Sequence, residues 1–520
     1  MNHSNDIRAR SVYSEGAGIY RIIPSAVAIP GTAAEVRELV RDAERTGTPL
    51  VPRGAGSGMP GGNVGSGLVV DLSQGFRTLE VDPRQRTATA GASVTWAQVN
   101  DAAGAHGLRL PPDPSSGAFA TSGGMASTNA AGPRTVRFGP VRRWIRALEV
   151  VGAGGETRWI RRDAGRQERF TLGASEREMV ARTYPRTRKH SAGYGLDAFA
   201  ASGDEVDLFV GAEGTLGIIT TVEWRLDPIP AAVAGLTLGL ADLAALGEAV
   251  PFLLSLNPSA VELLDRTLLA FVAEAGGDVP EGIEGLLLVE FEREQAPAAR
   301  GAVGDAVRGL KHLARTVETA PDRAGLEQLW KIRRLASPAL ARLPETRRSL
   351  QVIEDGCVPV DQLEAYIVAL RAAAAAREIP VAIFGHAGDA HVHVNALPDV
   401  TRPGWEQSVS ALFDEVTEVQ RRLGGTPSGE HGVGRLRAGV LERFLGADVM
   451  QLFGRLRSAY DPRSIFNPGV ILPTADWRPL AHLKVGDGAA PIPDDIAHRL
   501  RDIERTAGWA TPKVELARTP

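Results

Sequence analysis

Four of the ten histidines in this 520-residue chain, His386, His391, His393 and His431, fall between positions 386 and 431. In FGHAGDAHVHVN, an extended strand puts His391 and His393 on one face and Val392 and Val394 on the other, because side chains alternate with a period of two. His386 precedes a Gly-Asp turn able to fold it back towards that face. Downstream, PSGEHGVG sets Glu430 and His431 side by side, at the expected mouth of a helix. Two histidines and a carboxylate with an open position form a common catalytic zinc set, and a neutral imidazole beside them can take a proton near neutral pH. The alternative is that these side chains only satisfy one another structurally.

Periodicity indicates the elements that must carry them. Strand-like runs at 286–290, 381–384 and 391–395 alternate with helices expected at 360–377 and 405–423, giving an α+β cap domain over 231–434. Before it lies a glycine-rich half, residues 1–230, which is also α+β. There Ala33–Thr46 is expected as a helix, opened by Thr32 and stopped by Gly47, with a second helix at 96–106. Short strands are expected at 49–51, 68–71, 78–82, 86–90, 145–152 and 157–160. Asp227-Pro228-Ile229-Pro230 marks the boundary, where glycine thins and Ala/Leu-rich helical stretches begin. Residues 435–475 start helical and run to Asp461-Pro462 and beyond, and the tail, 476–520, is proline-punctuated with one amphipathic helix at 493–506.

Glycine is the compositional outlier, at 58 residues. It concentrates in PRGAGSGMPGGNVGSG, PPDPSSGAFATSGGMASTNAAG and GAEGTLGIITTVEWRL, all before residue 230. Successive glycines reach positive φ and let a ligand approach backbone N–H groups, so each block is a candidate anion nest. GAGSG overlaps a GxGxxG pattern, but each following glycine costs about 1 kcal/mol and proline about 3 in a helix. The helix that a Rossmann site requires is therefore not expected to follow.

These three blocks and the late FNPG (Phe466 to Gly469) resemble the flavin-contacting segments of FAD-dependent oxidoreductases of the vanillyl-alcohol oxidase / p-cresol methylhydroxylase fold, over about residues 20–472. The resemblance implies a two-part FAD-binding domain of the PCMH type, an α+β substrate cap domain and a C-terminal return to the FAD domain. It implies that Arg53, Gly54, Ala55, Gly56, Ser57 and Gly58 hold the FAD pyrophosphate through backbone amides. Pro112, Ser116, Gly123, Gly124 and Asn129 would run along the pyrophosphate and isoalloxazine, Gly214 and Ile219 beside the adenine half, and Asn467 back to the ring. No His or Cys lies between Arg53 and Val64, so FAD is expected to be non-covalent.

GHAGDAHVHVN and SGEHGVG resemble the paired GHxGDGNxHxN and EHGxG motifs of the D-2-hydroxy acid dehydrogenase branch, which includes D-lactate, glycolate and D-2-hydroxyglutarate dehydrogenases. By that resemblance His386, His393 and Glu430 bind a divalent metal, usually zinc, and His431 is the base. Two departures stand out: Ala390 replaces the usual Gly, and His391 the usual Asn, leaving His391 as either a fourth ligand or an outer-shell donor. LWKIRR resembles the LWxxR segment and assigns substrate binding to Arg333, with Ser337 assisting. Ile353 stands where the D-2-hydroxyglutarate enzymes carry a second cation, which argues against a dicarboxylate substrate.

The implied reaction is oxidation of a D-2-hydroxy acid, lactate- or glycolate-like, to the 2-oxo acid. A metal holding the α-hydroxyl lowers its pKa, and an Arg suits bidentate carboxylate recognition. Rival readings are a flavin oxidase of another alcohol, a non-redox FAD transferase of the ether-lipid synthase type, and an electron-transfer or scaffold subunit. No NAD or iron-sulfur motif is present, so electrons are expected to pass to an external acceptor: a quinone, a cytochrome, an electron-transfer flavoprotein or oxygen. Lys plus Arg total 58 against 62 Asp plus Glu, so a nucleic-acid partner is not expected. Cys357 is the sole cysteine, which excludes an intramolecular disulfide and fits a reducing, cytoplasmic setting. The N-terminus lacks a signal-type apolar region and no run approaches about 18 apolar residues, so no membrane span is expected. A homodimer and membrane-surface association through the tail are both compatible with the sequence.

Overall fold

The computed structural model describes residues 2–162 and 169–518. The first glycine-rich region builds β1 (Asn2–Ser4), β2 (Ala26–Ile29), β3 (Leu50–Arg53) and β4 (Leu68–Asp71) into one sheet of order β1-β2-β4-β3. Its helix Ala33–Thr46 forms as its caps dictate. Thr32 accepts a hydrogen bond from the Glu35 N–H, Gly47 ends the helix at φ +70°, and Val36, Leu39, Val40 and Ala43 are buried.

β5 (Leu79–Asp82), β6 (Thr87–Gly91), β7 (Leu108–Arg109), β8 (Ile145–Val151), β9 (Thr157–Arg161) and β10 (Ile218–Arg225) follow. All but β7 form an antiparallel sheet of order β5-β6-β10-β8-β9. The block at 111–132 holds an element that its small residues hid. Ser122–Thr128 is a helix capped by the Thr121 side chain and closed by Asn129 in the left-handed region.

β11 (Asp227–Pro228) pairs with β7 and leads into the cap. There β12 (Ala232–Leu240), β13 (Ala260–Asp265), β14 (Gly285–Arg293), β15 (Ala314–Ala320), β16 (Gly356–Cys357), β17 (Val381–His386) and β18 (His391–Ala396) form an antiparallel sheet of order β15-β12-β14-β13-β17-β18-β16. Every residue of β13, β17 and β18 is buried, so both faces of the sheet are covered and any charge on these strands needs a partner. Arg109 grips Glu292 at 2.7 and 2.6 Å and Arg134 grips Glu290 at 2.8 and 3.0 Å, which ties the glycine-rich half to the cap.

Two helices differ from the expected spans. The one expected from 360 is Leu363–Ala375 behind a single 3-10 turn. The one expected from 435 begins at Leu441 and runs to Tyr460. Gly432 and Gly434, at φ +89° and +55°, hold the preceding chain out of a helical path. Glu430 and His431 therefore sit on an irregular loop, not at a helix mouth.

The tail is a structural part of the molecule. Its helix Asp494–Thr506 buries Ile496 and Leu500 against Val12, Tyr13, Val27, Val51 and Val69 of the first sheet region. From the other side Arg501 and Arg505 reach Glu345 of the cap at 2.7 and 2.9 Å, and Arg348 meets Glu504 at 2.6 Å. Among the described residues no helix is long and apolar enough to cross a membrane.

Candidate functional site

The strand pair β17–β18 sets the histidines. Its register pairs His386 with His391 across a tight turn at Ala387–Asp389, and the alternation in β18 brings the His391 and His393 rings to 4.7 Å. Ala390 closes the turn at φ +51°, a region that costs a residue with a Cβ about 1–2 kcal/mol. Substituting Ala390→Gly is therefore expected to stabilise the protein by about 1 kcal/mol after glycine's own entropic cost; a lowered melting temperature in thermal unfolding would contradict this.

Three of the imidazoles are each held by one nitrogen. His386 Nδ1 lies 2.6 Å from Glu262 Oε1, His393 Nδ1 3.1 Å from the Glu354 carbonyl, and His431 Nδ1 2.5 Å from Glu354 Oε2. With Nδ1–H donating in each ring, the three Nε2 lone pairs are left to converge on Glu430 Oε1, at 3.1, 3.2 and 3.5 Å respectively. His386 and His393 Nε2 are 3.4 Å apart. Lone pairs facing one another and a carboxylate oxygen repel unless a cation lies among them, so the donor set fits a divalent metal.

The loop carrying Glu430 and His431 is pinned by one buried carboxylate. Asp355 accepts the Glu430 and His431 N–H groups at 3.0 Å each, the Ser428 hydroxyl at 3.0 Å and His391 Nε2–H at 2.9 Å. Glu213 repeats the device from the third glycine block, accepting N–H from Val433 and Gly434 at 2.7 and 3.0 Å.

Charge in this buried cluster is closely matched. Burial alone would raise Glu430, but Lys189, whose Nζ is 2.7 Å from Oε2, and the neighbouring His386 hold it well below the carboxylate range. For His431, burial opposes protonation, yet Glu354 and Asp355 outweigh it and push the group up to about 9; a divalent cation among the Nε2 atoms would oppose that protonation and keep the Nε2 lone pair available as a base. Burial and Lys189 instead bring His391 down to about 3, so its ring stays neutral. Glu262 is drawn to about 2, its burial overcome by His386 and Arg333.

Arg333 is 5% exposed, donates from Nε to Glu262 Oε2 at 2.8 Å and lies over the Phe384 ring at 4.8 Å. Among the described residues no protein acceptor meets its two terminal nitrogens. Arg334 next to it turns outward to Glu327 at 2.6 Å. Ser337 is exposed at the rim.

One cavity of about 1110 Å³ joins these parts to the glycine blocks. Its wall includes Arg53, Gly54, Ala55, Gly56, Ser57, Gly58, Ser116, Gly123, Gly124, Gly214 and Ile219, and it continues past Arg333 and Ser337 to His393, Glu430 and His431. The size exceeds a typical small-ligand pocket of about 300–1,000 Å³, as a dinucleotide plus a small acid would need. No protein acceptor meets the N–H groups of Ala55, Gly56, Ser57 and Gly58 among the described residues. A Cβ on Gly54 would fall 2.4 Å from Thr121 Oγ1. An open row of donors without side chains fits a pyrophosphate. Arg53 contributes backbone only, since its guanidinium turns inward to the Tyr13, Glu15 and Asn63 carbonyls.

Three residues chosen from the sequence stand behind this wall. Pro112 accepts from Trp96 Nε1, Asn129 caps its helix and accepts the Arg142 N–H at 3.2 Å, and Asn467 donates to the Gly62 and Glu213 carbonyls at 2.8 and 2.9 Å. They brace the loops, and a motif position alone could not say which way their side chains point. Tyr194 is core, bonded to Thr215 at 2.7 Å and packed edge-on to Phe453. Cys357 is buried, its thiol pushed up to about 12 by burial.

Residues 24–161 match the family model described as FAD binding domain, and residues 229–471 the one described as FAD linked oxidases, C-terminal domain. The glycolate oxidase subunit GlcD of Bacillus subtilis is 31% identical over 474 residues, 90% of this chain and 93% of that protein. The chain belongs to the FAD-linked oxidase family. As a family member it is an FAD-linked oxidoreductase. A D-lactate dehydrogenase of Archaeoglobus fulgidus is 29% identical over 448 residues, covering 85% of this chain and 90% of the relative. The family fold extends to an alkyldihydroxyacetonephosphate synthase structure, with a TM-score of 0.63 at 16% identity over 90% of this chain and 82% of that one.

Proposed function

We propose that the protein oxidises a small D-2-hydroxy acid, lactate- or glycolate-like, to the 2-oxo acid, with a divalent metal at His386, His393 and Glu430 and with non-covalent FAD. The observation that carries this reading is that three imidazole Nε2 atoms converge on Glu430 Oε1, and that His393, His431 and Glu430 of this group line the same cavity as the glycine cradle. When bound, the metal would supply Lewis acidity at the substrate hydroxyl and FAD the two-electron acceptor for the hydride from Cα.

The chain's own residues do the rest. Arg333 takes the substrate carboxylate with its free terminal nitrogens, oriented by Glu262. His431 accepts the hydroxyl proton at Nε2, and Glu354 at Nδ1 fixes the tautomer and holds the imidazolium once formed. Phe384 gives the cavity an apolar wall beside Arg333 and His393. With FAD bound, its reoxidation would call for an external acceptor such as a quinone, a cytochrome or an electron-transfer flavoprotein.

The test is turnover of D- and L-lactate, glycolate and D-2-hydroxyglutarate by the purified holoenzyme with an artificial electron acceptor, alongside metal analysis. A D-monocarboxylate preference, with activity lost on chelation and restored by metal, supports the reading. Equal turnover after the metal is stripped removes the metal from it, and no turnover of any hydroxy acid removes the substrate class.

A further inference from the structure

His391 occupies the position where the related motif carries Asn, and its surroundings define its two nitrogens differently from those of the other three rings. Nε2 is committed as a donor to Asp355 Oδ1 at 2.9 Å, which leaves Nδ1 as the ring's other donor or ligand atom. That atom is buried and has no hydrogen-bond partner. The nearest ammonium, Lys189 Nζ, is already bonded to Glu430 Oε2 at 2.7 Å. A buried imidazole lone pair without a donor is costly to keep, and this one lies on the Oε2 side of Glu430, the carboxylate whose Oε1 the other three rings approach.

The distances suit a shared ion. His391 Nδ1 is 4.0 Å from Glu430 Oε2, and one donor atom from each of His386, His391, His393 and Glu430 lies within 4.8 Å of the others. Nitrogen and oxygen ligands sit about 2.0–2.2 Å from such a metal, so two donors on one ion can stand up to about 4.4 Å apart.

We infer that His391 Nδ1 is a fourth protein ligand, making the centre a three-histidine, one-carboxylate site. The inference rests on the metal reading above and sharpens it. Four protein donors fill the usual coordination of zinc, so a chelating hydroxy acid calls for an ion that takes more ligands, such as manganese, iron or cobalt. Asp355 thereby has two tasks, orienting this ligand and holding the loop that carries Glu430 and His431.

The experiment is cobalt(II) loading of the flavin-containing protein, with the number of imidazoles counted by X-ray absorption at the cobalt edge and affinity measured by chelator competition. The wild type is expected to show three imidazoles. His391→Asn is expected to show two and to bind cobalt at least about tenfold more weakly, since even an outer-shell partner of a ligand is worth about 10- to 100-fold. Retention of bound flavin reports that the variant is folded, and His391→Gln serves if the Asn variant is not. Two imidazoles in the wild type, or unchanged affinity in a folded variant, overturn the fourth ligand and leave the metal reading standing. A wild type that takes up no cobalt overturns both.

Discussion

Glu262→Gln is expected to lower kcat/KM by roughly 10²- to 10³-fold and metal affinity by about 10- to 100-fold, because one buried carboxylate serves two sites. Its Oε1 fixes the His386 tautomer at 2.6 Å and its Oε2 holds Arg333 at 2.8 Å. The amide leaves a buried guanidinium without its counter-charge, a type of change that costs about 3–5 kcal/mol. It also frees His386 to turn its proton toward the metal. The two consequences separate experimentally: excess metal should restore the His386 share of the loss, while a raised KM from the displaced Arg333 should persist. Wild-type metal affinity together with wild-type KM would show that Glu262 positions neither residue.

His431→Asn is expected to lower kcat by about 10²- to 10⁴-fold, the usual contribution of a positioned general base. In this account His431 is not a metal ligand, and substrate affinity comes from Arg333 and the metal. Metal content and KM should therefore stay near wild type while kcat collapses. The flavin should still be bound, because the cradle of Ala55 to Gly58 is a separate part of the wall. A kcat within a few-fold of wild type would assign proton transfer elsewhere, and loss of metal would move His431 into the ligand set.

The parts of the site that are local in sequence were legible there. Period-two alternation in HVHVN put His391 and His393 together, and Thr32 and Gly47 bounded their helix as the structure has it. The residues that orient the histidines were not read. Glu262 and Lys189 lie more than 100 residues from His386, and only the packing of β13 against β17 brings the former to it. A signal was nonetheless present. AVELLD is an apolar strand with an acid in its middle, and an acid on a strand buried on both faces demands a cationic or donor partner. The Glu354-Asp355 pair in IEDGCVPV carries the same message, being wholly buried between His393, His391, His431 and Arg437. Glycine patterns found loops that line the cavity, yet could not tell wall from brace at Pro112, Asn129 or Asn467, since backbone motifs do not fix side-chain direction. The helix Ser122–Thr128 escaped because its small residues carry no amphipathic period.

The most direct measurement is a single anaerobic turnover: the purified flavin-loaded protein mixed with D-lactate or glycolate, with L-lactate as control, before and after chelation. The account predicts loss of the visible flavin bands with one equivalent of 2-oxo acid formed per flavin, for a D-acid or glycolate only, and abolished when the metal is removed. A flavin that keeps its oxidised spectrum with every hydroxy acid, while the protein retains its metal, would contradict it.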